Sequence, residues 1–273
     1  MSGPVLCAVD LTALAGGTAR FAAVFARVTG SPVTLLHVRE RGEAEPAAAA
    51  RLAALALIIA GTGLTVHTES TEGDPAEAIV RRATALDASA IVMGTHGGHG
   101  LERLMLGSVA ESVLHRTARP VATLRGPGHA GGPIRKILCG ADLADPAPLR
   151  YAAALARRSA AELVVVHAVQ DLPEEGRHGL VPASYGPTLL EEARQSLGRA
   201  VACLDPFPGH ISTRVVPGPA SHALLRCADD ESADLLVVGV HPHVLGSTTH
   251  PIVRGANCPV LTVPGGAGGE EIA

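Results

Sequence analysis

Short aliphatic and β-branched runs recur along the first half of the chain, at 5–9, 33–38, 64–68, 90–94 and 120–124. Longer Ala-rich segments with apolar residues at helical spacing separate them. Runs this short predict strands, and the segments between them predict helices. Alternation of the two predicts a mainly parallel sheet covered by helices on both faces, joined by right-handed crossovers. Helix starts are marked in the sequence. Asp74-Pro75 offers a cap and a first-turn proline, and Ser108-x-x-Glu111 has the form of a capping box.

The pattern then repeats. "VLCAVD" at 5–10 returns as "ILCGAD" at 137–142, and "VTLLHV" at 33–38 as "LVVVHA" at 163–168. The segment 72–96 aligns without a gap to 217–241, and "RPVATLR" at 119–125 matches "CPVLTVP" at 258–264. Landmarks in the same order mark two copies of one domain. The Gly/Pro stretch between them reads as a linker, so the expected division is 1–126, a connector at 127–133, and 134–273. The final strands, 121–124 and 260–263, are apolar and uncharged, an edge that invites pairing. They predict an internal pseudo-dimer; a further homodimer is left open.

Composition narrows the picture. Aromatics are only 2% of the 273 residues, so the core must be built from Ala, Val, Leu and Ile. A net charge of -4 gives no basic face for nucleic acid. Ala53 to Val66 is uncharged and apolar but holds Gly61 and Gly63 and is too short to span a bilayer. No CxxC spacing occurs among the five cysteines, which are expected to be free thiols in a reducing compartment. With "PVLCAVD" reading as a strand at the start, a cytoplasmic protein without signal peptide, membrane or nucleic-acid partner is expected.

Candidate chemistry lies after the fourth strand. "IVMGTHGGHGLERLMLGSVAE" holds Gly94, Gly97, Gly98, Gly100 and Gly107. Backbone N–H groups and a helix N-terminus hold phosphate without a lysine, provided the backbone approaches closely. Gly94 at the strand end, Gly97 in the loop and Gly107-Ser108 at the helix start meet those needs, and Arg103, His96 and His99 add positive charge. Ser108 either gives its hydroxyl to phosphate or caps its own helix. The bland alternative is a surface loop whose helix starts with glycine. No GK[ST] occurs, so this is not a Walker A loop.

The spacing Gly94-x2-Gly97-x9-Gly107-Ser108, with "VMGTHG", "LMLGSVAE", "RPV" and "LLHV" in order, resembles the ATP-binding branch of the universal stress protein (UspA) family. The resemblance covers the chain twice. It implies two flavodoxin-like or Rossmann-like five-stranded α/β domains and an adenine nucleotide, ATP or AMP, with or without Mg2+. By resemblance, Asp10 meets the nucleoside after Ala8 and Val9, and the backbone of Val38 lines the adenine slot. Met93 and Gly94 border the ribose, while Gly97, Gly107, Ser108, Val109 and Ala110 wrap the phosphates. Family members often carry a hydroxyl residue at the Ala110 position. Asp10 has a bland alternative as the cap of the following helix.

The second copy departs from the motif. Its loop reads Gly239-x2-Pro242-x3-Gly246-Ser247, six residues shorter between the matching glycines (107 − 94 = 13 against 246 − 239 = 7). Proline has no N–H to donate. The expected site is therefore degenerate, with one nucleotide per chain, although Gly246-Ser247 is read as still starting a helix. The expected function is a nucleotide-binding regulatory module of the stress response with an unidentified protein partner. The alternatives are a slow ATPase or other nucleotide-processing enzyme, and an interaction module holding a metal at His241, His243 and His250. At most weak ATP hydrolysis is expected, because no catalytic lysine, paired carboxylates or activated nucleophile flanks the loop. His37 and His167, at equivalent strand positions, are read as structural.

Overall fold

The computed structural model describes residues 3–12, 14–95, 106–126, 131–170, 185–204, 206, 209–240 and 246–265. The first half runs β1 (Val5–Ala8), α1 (Ala15–Thr29), β2 (Val33–Arg39), α2 (Glu45–Ala60), β3 (Val66–Glu72), α3 (Pro75–Ala85), β4 (Ala90–Gly94), α4 (Ser108–Arg116) and β5 (Val121–Leu124). The second repeats it as β6 (Lys136–Gly140), α5 (Ala147–Ser159), β7 (Glu162–Val169), α6 (Tyr185–Ala202) and β8 (Ile211–Pro217). It closes with α7 (Ala220–Asp230), β9 (Leu235–Val240), α8 (Thr249–Gly255) and β10 (Val260–Pro264).

One ten-stranded sheet contains both halves, in the order β3-β2-β1-β4-β5-β10-β9-β6-β7-β8. Every neighbouring pair is parallel except β5 with β10. There Leu261 stands opposite Ala122, and Thr262 opposite Val121. The expected pairing of the two final strands is thus present. It is reinforced reciprocally: Thr123 Oγ1 donates to the Val260 carbonyl at 3.3 Å, and Thr262 Oγ1 to the Val121 carbonyl at 3.2 Å.

The inner strands are buried on both faces, which is why they read as unbroken apolar runs rather than alternating ones. Val5, Leu6 and Cys7 are fully buried. One cluster joins Val5, Cys7, Phe25 and Leu35 to Ile137, Leu155 and Leu235, so a single core on the α1 side serves both halves. The opposite cluster gathers Leu6, Ala8, Leu36, Met93 and Ala110 with Leu138, Leu224 and Ile252. Helices lie on both faces, as the alternation predicted.

Local signals hold in part. Asp74 caps α3 by accepting the Glu77 N–H at 2.8 Å, with Pro75 following. Its counterpart in α7 is Pro219, which has no such bond, so the repeat has lost that cap. Four cysteines are buried and free, and Cys203 is exposed and free.

Three readings need correction. The third strand is Val66–Glu72, not 64–68. As an edge strand it carries Glu69, Ser70 and Glu72 and lacks the apolar run that marks a central strand. Ser108 is the first helical residue of α4 rather than its cap; Gly107 occupies the cap position with extended backbone and no side chain to bond. The Ser108–Glu111 capping box therefore does not form. Gly246 and Ser247 precede α8 rather than starting it, although Gly246 accepts the His250 N–H at 3.3 Å.

Candidate functional site

Within each half the strand order is 3-2-1-4-5, and its direction of winding reverses between the first and fourth strands. In open α/β sheets the crevice outside the carboxyl ends at that point is where ligands bind. In the first half β1 lies between β2 and β4, with Ala8 beside Leu36 on one side and Met93 on the other. Val9 extends the ladder by one bond, its N–H donating to the Leu36 carbonyl at 2.9 Å. Asp10 follows, exposed, at the mouth.

The structure brings most of the sequence-picked residues to this mouth. Ala8, Met93 and Ala110 share one buried cluster on the α4 side of the sheet. Val38 is half-buried two residues beyond Leu36, the register partner of Ala8. Gly94 ends β4, and Thr95 after it is fastened by N–H and hydroxyl to the Leu124 carbonyl at 2.9 and 3.2 Å. Gly107 N–H donates to the Thr95 carbonyl at 2.8 Å, which ties the start of α4 to the end of β4. Ser108 is exposed, Val109 half-buried and Ala110 buried in the first turn. First-turn N–H groups have no helical acceptor and carry the positive end of the helix dipole. Gly97 and Arg103, with His96, His99, Gly98 and Gly100, lie outside the described residues.

Asp10 does not cap α1, whose cap position is Leu14. Its Oδ1 instead accepts the Thr12 N–H at 3.0 Å and the Thr12 hydroxyl at 2.8 Å, a tight local turn. His37 is structural, as its position implied: Nδ1 donates to the Val9 carbonyl at 2.9 Å, and His167 does the same to Ala141 at 2.9 Å. Two charged residues not singled out by sequence reasoning join it. His37 Nε2 meets Glu43 Oε2 at 2.9 Å, Glu43 lies 3.6 Å from Arg51, and Arg51 donates to the Leu11 carbonyl. The His37 hydrogen bond holds the Glu43 carboxyl below the usual carboxylate range, with smaller help from Arg51. No local motif marks this trio, because Arg51 sits on α2, 40 residues from Leu11.

The equivalent crevice of the second half is packed differently. Asp142 survives at its mouth, accepting the Ala144 N–H at 2.9 Å. Gly140 replaces Ala8, and a Cβ there would fall 2.7 Å from Leu224 Cδ1. A Cβ on Gly239, the counterpart of Gly94, would fall 2.9 Å from Pro148 Cγ. Thr249 occupies the Ala110 position and spends its hydroxyl on the Gly239 carbonyl at 3.0 Å. Of the proposed metal trio, His241 and His243 lie outside the described residues, and among those described no group of three His, Cys, Asp or Glu comes together. No described helix is long and apolar enough to cross a membrane.

Comparison with known proteins agrees with this architecture. The model of the "Universal stress protein family" matches residues 1–125 and again 133–264. The chain is similar to a universal stress protein of Mycolicibacterium smegmatis, 26% identical over 292 aligned positions covering 95% of this chain and 96% of that one. It is 30% identical to universal stress protein Rv2005c of Mycobacterium tuberculosis over 216 positions, covering 72% and 68%. A solved universal stress protein from Archaeoglobus fulgidus superposes with a TM-score of 0.75 at 18% identity, over 97% of this chain and 99% of that one. That last likeness concerns the fold.

Proposed function

The chain belongs to the universal stress protein family, and on that premise we propose that its first domain, within 1–126, binds an adenine nucleotide, ATP or AMP. Occupancy of that site is a regulatory signal in the stress response, read by a protein partner in the cytoplasm. The observation that carries the reading is the meeting of three strand ends with the glycine-capped start of α4 at one switch point. Asp10 offers a carboxylate to ribose or base, and Val38 presents its backbone to adenine. Met93 and Gly94 face the ribose. Ser108, Val109 and Ala110 offer backbone donors to phosphate, Gly107 clears the approach to them without a side chain, and Gly97 and Arg103 join from the loop. An N–H cradle of this kind needs no lysine.

The second domain, 134–273 after the connector 127–133, is assigned no nucleotide. Its loop is shorter, Leu224 packs against Gly140, and the Thr249 hydroxyl is already engaged. Mass spectrometry of small molecules released from the purified, denatured protein, followed by titration calorimetry on the full chain, tests the proposal. An adenine nucleotide bound at one per chain is expected. Failure to bind any adenine nucleotide removes the proposal, and two equal sites per chain remove the assignment of one domain.

A further inference from the structure

We infer that Glu43 and Arg51 are positioning residues for the nucleoside end of this site, holding the β1–α1 turn and Asp10 within it. This rests on the nucleotide reading above. The turn Val9–Thr12 has a backbone that its sequence does not favour. Leu11 sits at φ 57°, in the left-handed region, and is nonetheless buried. A branched side chain avoids that region, and such residues persist only where their surroundings over-determine them, commonly beside ligands.

Three fastenings do so here. Thr12 grips Asp10 Oδ1 with its N–H and hydroxyl. His37 Nδ1 donates to the carbonyl on one side of Asp10, that of Val9. Arg51 donates to the carbonyl on the other side, that of Leu11. The two remote donors are themselves coupled, since Glu43 lies 2.9 Å from His37 and 3.6 Å from Arg51. A ring therefore runs from the end of β1 through β2, the β2–α2 loop and α2, and back to Leu11. Asp10 is the exposed residue it frames.

The second half supplies the control. His167 still bonds to Ala141, so the fold retains that fastening. Leu143, the counterpart of Leu11, is absent from the left-handed residues among those described and is 37% exposed. The second domain folds without a left-handed residue at this position, and the loop corresponding to the one that carries Glu43 falls at 171–184, outside the described residues. The left-handed turn accompanies the intact glycine motif and is missing from Leu143, where the motif has been shortened, which associates it with the ligand rather than with the sheet.

The test compares the full chain with Arg51→Ala, Arg51→Lys and Glu43→Gln. Arg51 is half-exposed, so the urea midpoint should barely move. Amide exchange at Thr12, measured without ligand, should accelerate in Arg51→Ala and Glu43→Gln. Calorimetric affinity for adenosine should fall roughly three- to ten-fold, and that for ATP by the same factor, as expected for losing one charge-assisted hydrogen bond partly screened by water. Arg51→Lys should recover most of both. Unchanged Thr12 exchange or unchanged adenosine affinity in Arg51→Ala overturns the inference. A wild-type chain that binds neither adenosine nor ATP instead overturns the nucleotide reading, and the exchange data then show separately whether Arg51 holds the turn.

Discussion

His37 donates from Nδ1 to the carbonyl of Val9 at 2.9 Å, across the join between β2 and the end of β1. The ring is 4% exposed, so removing it strands a buried carbonyl and costs Glu43 its side-chain hydrogen bond, leaving Arg51 as its charged neighbour. His37→Ala should lose about 1–3 kcal/mol, the range for leaving a buried polar group unsatisfied. His167→Ala should lose less, because that ring is half-buried and water can reach the vacated carbonyl. Urea unfolding of the two variants checks the order; equal losses would show that the Glu43 bond adds nothing.

The joint between the halves is dry. Ala122 and Leu261 face each other across it with no exposure at either. Ala122→Glu would bury a carboxylate with no cation opposite, which costs several kcal/mol. The variant should expose the β5–β10 joint while each half keeps its own parallel strands. Hydrogen exchange should then rise at Thr123 and Thr262 before it rises at Val5 or Ile137; uniform acceleration would mean that the halves do not fold separately.

Gly107 has φ -63° and ψ 143°, a conformation open to any residue. Gly107→Val should therefore leave the thermal midpoint nearly unchanged. On the proposed function it should abolish ATP binding by crowding the phosphates, while adenosine binding persists. Loss of both ligands together, or of neither, would count against placing phosphate at this helix start. The companion substitution Ala110→Thr restores a hydroxyl that Thr249 carries in the second half, and it should tighten ATP binding unless that hydroxyl turns back to the Gly94 carbonyl.

Among the described residues, Glu43 and Glu231 contribute to the acid limb of stability. The His37 hydrogen bond lowers Glu43, and the Lys136 hydrogen bond, aided by Arg214, lowers Glu231. In both, the unfolded chain binds the proton at higher pH than the folded one, so stability is full above their ordinary value of 4.5 and drains as pH falls below it. Lys136 is raised, chiefly by Glu231, so its share is present below 10.5 and is lost as pH climbs beyond it. Glu231→Gln should flatten both limbs, and Glu43→Gln only the acid one, as read from urea midpoints across pH. A Glu231→Gln chain with an unchanged alkaline limb would sink the pairing.

Much of the architecture was legible in the residues because each central strand is buried on two faces and so appears as an uninterrupted apolar run. Such runs placed β1, β2, β4 and β5 within about two residues, and repetition placed their counterparts. The edge strand β3 was misplaced for the converse reason: His67, Glu69 and Glu72 belong to a strand that water partly covers, and its pattern dissolves into that of a loop. The cap of α4 was misread because a Ser-x-x-Glu pattern names a register, and the bond from Gly107 to Thr95 sets the register one residue earlier.

The site was partly legible. Asp10, Gly94 and Gly107 are marked by position relative to strand ends, and the topology brings those ends together. Glu43 and Arg51 carry no such mark. Their partners are a histidine on another strand and a main-chain carbonyl, and neither distance nor left-handed backbone at Leu11 is written in local sequence.

The antiparallel meeting of β5 and β10 has a consequence of direction and of dilution. Strands in the two halves run opposite ways, so the two crevices open at opposite ends of one continuous slab. A molecule seated at one cannot reach the other. Because a single polypeptide supplies both β5 and β10, their encounter is intramolecular, and its effective concentration is fixed by the connector rather than by how much protein a cell contains. The second half can thus brace the first permanently, whether or not it holds a ligand of its own.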